Sequence, residues 1–322
     1  MTRRLAALPP WLPRWTLLIL SLVGWGLFGR ALLINVLGSI TLVDEEIGGL
    51  GRDTYAYWLA GTHIVEGEPL YGIETIDELG AYLYPPPFAQ LWVPLSFLPG
   101  LLVDWGWRIL GILSIRYMAG SWQIAGLWWL YPGTIIEITA GNVTFQMAAL
   151  TVAGLRGRAE GIFPAAIVKF SAVAVVPFIW LRRPQARRGL VVGGVIAAGA
   201  VGLSVLLGPD LWREYLGDLG GQGSLSMDHP SIIHILPTPA VDFLLRIAIA
   251  AAIVVASVRY DSPHLAYVAA FLITPVIWVQ KLCALLALLT LENDDWLKPY
   301  RWPWGKKDAA ASDPDTATEV PV

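Results

Sequence analysis

Asp53 stands at the head of a stretch, Asp53–Glu66, in which Tyr55, Trp58, Leu59 and Thr62 recur at helical spacing. A helix with such a stripe lies flat at a water–lipid boundary, its apolar face in the headgroups. The Asp53 carboxylate then sits at the depth where a lipid-borne phosphate ester presents its substituent. Displacing a phosphate needs no strong acid. It needs a base to take the proton of the incoming hydroxyl and cations to hold the phosphate. One carboxylate therefore suffices for an inverting transfer, whereas glycoside hydrolysis takes a pair. The other reading of Asp53 is as the N-cap of its own helix.

Cations for the phosphate half are few. Lys169 lies inside the apolar run Pro164-Ala-Ala-Ile-Val-Lys-Phe-Ser-Ala-Val, where an ionisable group is costly and faces a cavity or a partner. It either binds phosphate, snorkels, or pairs with Glu137, itself stranded in Thr134-Ile-Ile-Glu-Ile-Thr. Lys281 repeats the pattern beside a break at Thr274-Pro275. Trp278 can stack on a sugar, although most of the sixteen tryptophans flank apolar runs as in an interfacial belt. His229 follows Asp228, and His234 lies nearby, but the spacing lacks the further ligands of a metal site, so no metal is expected. Asp313-Pro314-Asp315 has the shape of a nucleotide-sugar metal motif, but it lies in a polar tail. No phosphate-cradling Gly-x-x-x-x-Gly-Lys loop occurs, which argues against an ATP-driven pump. The single Cys283, inside an apolar run, reads as a small core hydrophobe with no disulfide partner.

The elements that must position these residues are membrane helices. Hydrophobic residues make up 56% of the chain, charged ones only 15%, and mean hydropathy is +0.58; a soluble domain carries roughly a quarter charged residues. Apolar blocks at Trp15–Ile40, Gly189–Leu207, Val241–Val258 and Leu265–Leu291 match the roughly 20 residues that cross a hydrocarbon core of about 30 Å. Backbone groups in lipid pair within their own segment, so the blocks are helical. The alternation of an outer-membrane barrel is missing. The first block, after Arg3, Arg4 and Arg14, is too long for a signal-peptide core and reads as an uncleaved span.

Loop charge sets the orientation. Arg182, Arg183, Arg187 and Arg188 share a short loop, placed in the cytoplasm with both termini. The first outer loop, 41–86, and the second, 208–240, are acidic and face outward. A second amphipathic helix in the first of these carries Ile73, Ile76, Leu79 and Leu83 on one face. Arg156 and Arg158 share a side with the arginine cluster, so Gly161–Leu181 is expected to rise and return as two short helices with Lys169 near the turn. The Thr274-Pro275 break splits the last block similarly. The expectation is an all-α polytopic membrane protein of about nine to eleven membrane helices, several short or broken, with two interfacial amphipathic helices. Residues 1–308 form a single transmembrane catalytic domain, and 309–322 a disordered cytoplasmic tail. No internal repeat is visible, which weakens a transporter reading.

A family resemblance enters at 51–99. Arg52-Asp53-Thr54-Tyr55-Ala56-Tyr57-Trp58 leads to Gly67-Glu68-Pro69-Leu70-Tyr71. Tyr84-Pro85-Pro86-Pro87-Phe88-Ala89 and Pro94-Leu95-Ser96-Phe97-Leu98-Pro99 follow. In order and spacing this resembles glycosyltransferase family 87, within the C-fold superfamily of membrane glycosyltransferases. Further on, Pro132 with Gly141-Asn142-Val143-Thr144 is similar to the family's Pro…Gly-Gln-x-Asn with both polar positions changed, and Gly161…Lys169 resembles its Gly…Lys hairpin. Thr274-Pro275-Val276-Ile277-Trp278-Val279-Gln280 resembles its Ser-Pro-x-x-Trp-Asp-His, with Val279 and Gln280 in place of the Asp and His. The resemblance implies a polyprenyl-phosphate sugar donor, typically mannose, a glycan or lipid-linked acceptor, and Asp53 as the base. The resulting expectation is an integral protein of the bacterial plasma membrane with an outward-facing site. Lys169 and Lys281 contact the donor phosphate, and Tyr84, Asn142, Trp278 and His229 line the cavity. No cofactor and no nucleic-acid partner is expected. The competing expectation is a non-catalytic membrane protein that binds lipid-linked saccharide or a partner enzyme.

Overall fold

A long apolar run without period-two alternation satisfies its peptide groups within itself, as helix. The computed structural model describes residues 14–41, 50–71, 82–222, 239–274, 277 and 279–291, and every regular element among them is helical. In chain order these are α1 (Arg14–Thr41), α2 (Arg52–Glu66), α3 (Pro86–Ser96), α4 (Gly100–Ala119) and α5 (Trp122–Trp128). Then come α6 (Pro132–Ala140), α7 (Thr144–Leu155), α8 (Ile162–Val168), α9 (Val176–Arg182) and α10 (Arg187–Leu207). The order ends with α11 (Pro209–Gln222), α12 (Pro239–Tyr260), α13 (Pro263–Leu272) and the 3₁₀ segment Val279–Leu289.

Three helices among the described residues are long and apolar enough to cross a membrane, over Trp15–Asn35, Pro184–Leu207 and Val241–Tyr260. They pack against the protein over only about a fifth of their apolar windows. Leu206, Val195, Leu244 and Val255 stand outward on these helices. The pair α6 and α7 makes a fourth crossing if it is taken as one span bent by 108°. The remaining apolar helices are short, at Ala159–Val168, Phe170–Arg182, Pro263–Leu272 and Val279–Leu289.

The breaks follow local chemistry. Gly141, at φ 73°, ends α6 in the left-handed conformation that glycine tolerates best, and α7 restarts at Thr144. The expected break in 161–181 falls at Lys169, whose extended backbone (φ −134°, ψ 106°) separates α8 from the 3₁₀ turn Phe170–Val175. The last apolar block breaks after Leu272 and resumes at Val279. The expected second amphipathic helix of the first loop and the tail 309–322 lie outside the described residues.

The two acidic loops meet at one end of α10. Glu214 Oε2 in α11 accepts from the Leu70 backbone N–H at 3.4 Å, and the rings of Tyr71 and Tyr215 lie 5.4 Å apart. The arginine cluster lies at the other end, about 30 Å away along 21 residues of helix. Arg156 joins the basic end, donating to the carbonyls of Tyr117, Met118 and Thr290. Charge asymmetry along the chain is thus a spatial asymmetry of the fold. Two cores hold it together. One surrounds Phe145, Phe178 and Ile162; the other is aromatic, with Tyr57, Phe88 and Trp92 packed under α2.

Candidate functional site

The site begins with two glycines. Gly51, the N-cap of α2, packs so closely on the end of α6 that a Cβ there would stand 2.7 Å from the carbonyl oxygens of Thr139 and Ala140. Across the same junction, a Cβ on Gly141 would collide with Thr54 Oγ1. This interlock brings the first turn of α2 against the corner between α6 and α7. The N-cap makes no side-chain capping bond. Asp53 therefore does not cap its helix: it stands one residue inside, in the first turn, where the helix dipole favours an anion.

Its carboxylate points into a polar network instead. Asp53 Oδ2 accepts from Asn142 Nδ2 at 2.7 Å, a short, charge-assisted bond. Asn142 Oδ1 takes three donors: Thr144 N at 3.0 Å, Thr144 Oγ1 at 2.7 Å and Lys169 Nζ at 3.2 Å. Lys169 Nζ also donates to Thr144 Oγ1 at 3.1 Å. With its oxygen committed to donors, the Asn142 amide must present its NH₂ to the carboxylate. An anion and a cation from positions 116 residues apart are so joined through one side chain, no more than about 8 Å from each other.

Lys169 has a third N–H, and it lines a cavity of about 60 Å³. Lys281 stands in the same wall, with Ser171, Thr274 and Thr151 as further polar groups. Met147, Tyr267, Phe271 and Ile277 make the apolar part. Two ammonium groups in an apolar wall suit an anion attached to a hydrophobic body. Glu137 is 2% exposed, and its Oε2 has no hydrogen-bond partner. The two bonds of Lys169 go to Asn142 and Thr144, not to Glu137.

Behind the network, Tyr57 donates from its hydroxyl to Tyr84 Oη at 3.1 Å, and Tyr71 donates to the Tyr84 carbonyl at 2.8 Å. Burial raises the Tyr84 phenol above its ordinary pKa, and the nearby Asp53 charge adds to the shift. Burial likewise raises Tyr57, with Tyr84 and Asp53 adding to it. Both stay neutral hydroxyls beside the carboxylate at physiological pH.

Of the expected site residues, the structure joins Asp53, Asn142 and Lys169 and places Lys281 in the same cavity wall. Tyr84 lies beside the network and Asn142 within it, and neither lines the cavity. His229 and Trp278 lie outside the described residues. Among the described residues no group of three or more His, Cys, Asp or Glu side chains is placed to hold a metal. Sequence reasoning missed Thr144 as an anchor of the network, Tyr57, and the buried pairs Asp104–Arg108 and Asp242–Arg246. The pairs had a legible signal, an acid and a base four residues apart in an apolar helix.

The interlock gives a testable consequence. Gly141→Ala should destabilise the protein by at least about 1–2 kcal/mol, the cost of a left-handed backbone at a residue with a Cβ, with the collision against Thr54 added. Thermal unfolding in detergent reads this; a melting temperature equal to wild type would mean that α2 does not seat on the α6–α7 corner as described.

No family model, no curated protein and no solved structure matches this chain.

Proposed function

We propose that the chain is a membrane-embedded inverting glycosyltransferase. It moves a sugar, mannose by the resemblance, from a polyprenyl-phosphate donor to a hydroxyl of a glycan or lipid-linked acceptor. The observation that carries the reading is the single-amide link between Asp53 and Lys169 beside a cavity that also holds Lys281. Asp53 takes the proton of the acceptor hydroxyl. The freed oxygen attacks the anomeric carbon from the face opposite the phosphate, the bond from that carbon to the phosphate oxygen breaks, and the polyprenyl phosphate keeps the electron pair. Lys169 and Lys281 hold the charge gathering on it. Asn142 fixes the distance between base and cation, and the apolar wall borders the place of the phosphate.

In this reading the outward apolar surfaces of α1, α10 and α12 face lipid, in the plasma membrane of a bacterium. The proposed count is about nine to eleven membrane segments, and ten result when α4, the halves of α6–α7 and the four shorter apolar stretches are each counted beside the three long helices. The arginine end of α10 and both termini face the cytoplasm, and α2 with α11 lies at the outer surface. Exposed Glu66 and Arg187 test this. In a Cys283→Ala background, Glu66→Cys should be labelled by an impermeant thiol reagent on intact cells and Arg187→Cys only after permeabilisation. Equal labelling of the two on intact cells would overturn the orientation.

The activity itself is tested with purified protein in lipid nanodiscs, given polyprenyl-phosphate mannose labelled in the sugar and membrane extracts as acceptor source. Transfer of label to a glycan or lipid-linked product is expected. Binding without transfer, for mannose and for other polyprenyl-phosphate sugars, would support the non-catalytic lipid-linked-saccharide binder instead.

A further inference from the structure

Two five-residue stretches inside the apolar helices share one pattern: Asp104-Trp105-Gly106-Trp107-Arg108 in α4 and Asp242-Phe243-Leu244-Leu245-Arg246 in α12. In each, the arginine Nε lies 2.7 Å from the Oδ2 of the aspartate one turn earlier, as a hydrogen bond in α12 and as an ion-pair contact without hydrogen-bond geometry in α4, with all four side chains at most 4% exposed. In each, the guanidinium lies over the ring that follows the aspartate, 5.5 Å from Trp105 and 5.4 Å from Phe243. A buried ion pair loses so much hydration that apolar residues of the same volume often serve stability better. Two copies of one costly device call for a use beyond holding a helix together.

The copies differ in what else they grip. Asp104 Oδ1 accepts from the backbone N–H of Gly51 at 3.2 Å, at the cap of the helix that carries Asp53. Arg108 Nη1 donates to Asn35 Oδ1 of α1 at 2.8 Å, so the pair ties α4 and α1 to the start of α2. Arg246 Nη1 donates to the carbonyls of Leu272, at 3.1 Å, and of Thr274. These lie at the C-terminal end of α13, where unpaired carbonyls attract a cation. From there the chain runs on to Ile277 and Lys281 in the cavity wall.

We propose that the two Asp-aromatic-x-x-Arg pairs are positioning clamps, one for each half of the site. The Asp104–Arg108 pair sets the helix of the base, and the Asp242–Arg246 pair sets the wall of Thr274, Ile277 and Lys281 that receives the phosphate. The link of each clamp to a chemical step rests on the function proposed above; the mechanical division does not.

Arg108→Lys and Arg246→Lys test it, because a lysine keeps the charge for its aspartate but lacks the fork that reaches a second acceptor. The readout is amide hydrogen exchange by mass spectrometry on the full chain in detergent, with binding of a synthetic polyprenyl phosphate measured on the same samples. Arg246→Lys should speed exchange about tenfold or more around Thr274 and across 279–285, with 50–58 unchanged, and weaken polyprenyl-phosphate binding about tenfold. Arg108→Lys should do the reverse, loosening 50–58 and leaving binding as in wild type. If Arg108→Lys does not fold, Asn35→Ala, which removes the outer partner of the guanidinium, carries the same comparison. Faster exchange in both segments for either variant, or in neither, would overturn the clamps, since a purely structural pair loosens the whole fold. The local pattern together with a wild-type protein that binds no polyprenyl phosphate would keep the clamps and sink the proposed function.

Discussion

Asp53→Asn is expected to reach wild-type levels in the membrane while sugar transfer falls about 10²–10⁴-fold, the usual contribution of a general base. The substitution keeps the shape of the side chain. Its amide oxygen still accepts from Asn142 Nδ2, so the contact that seats the residue survives in neutral form. What is lost structurally is the charge assistance of that bond and the favourable interaction with the α2 dipole, together about 1–2 kcal/mol. A domain stable by about 5–15 kcal/mol tolerates that. An amide takes no proton, however, so in the proposed reaction the acceptor hydroxyl is left without a base. Transfer rates on reconstituted protein, beside melting temperatures of the same preparations, separate the two effects. A variant that transfers sugar near the wild-type rate would strip Asp53 of the catalytic role proposed for it. Because the helix is capped at Gly51 without any side-chain bond, a capping role is not available to explain a loss.

The second large effect is at Lys169. Lys169→Met keeps the length and apolar stem of the side chain and removes the ammonium from the cavity wall. A hydrogen bond to a charged group is worth about 1.5–3 kcal/mol, so polyprenyl-phosphate binding should weaken about 10–100-fold. Thr144 still donates twice to Asn142 Oδ1, which leaves the amide aimed at Asp53. The turnover rate at saturating donor should therefore fall less than in Asp53→Asn. Lys169→Arg should retain part of the affinity, since it keeps the charge in another geometry. The rival role, an ion pair with Glu137, makes the opposite forecast: unchanged affinity with reduced thermal stability. Isothermal titration with a synthetic polyprenyl phosphate, paired with unfolding curves for Lys169→Met and Glu137→Gln, decides between them.

The two effects fall on residues that the chain order keeps far apart, and their legibility differs accordingly. Local chemistry was readable. The apolar blocks had to be helices because peptide groups in them have no other partners, and α2 covers Arg52–Glu66, one residue more than the Asp53–Glu66 stretch that the aromatic spacing marks. The breaks at Lys169 and after Leu272 fell where a charge or a Thr-Pro pair interrupts an apolar run. Asp53 and Lys169 stood out by type, one at an amphipathic start and one in an apolar block. Each is a property of a short window, which a sequence states directly.

Tertiary packing decided what those residues do to one another. Whether Asp53 capped its helix or faced a partner depended on the seating of α2, and that was settled by two glycines, Gly51 and Gly141, whose missing side chains permit an approach no local pattern announces. The partner of Lys169 was equally undetermined. Glu137 lay nearer in composition and charge, yet the extended backbone at Lys169 sends its ammonium to Asn142 and Thr144. The spacing of Asp104–Arg108 and Asp242–Arg246 was visible along the chain, but their targets, a backbone N–H at Gly51 and the carbonyls of Leu272 and Thr274, belong to other helices. Hydrogen bonds and close contacts act over about 3–4 Å, and which groups fall within that distance across different helices is fixed only when the helices pack.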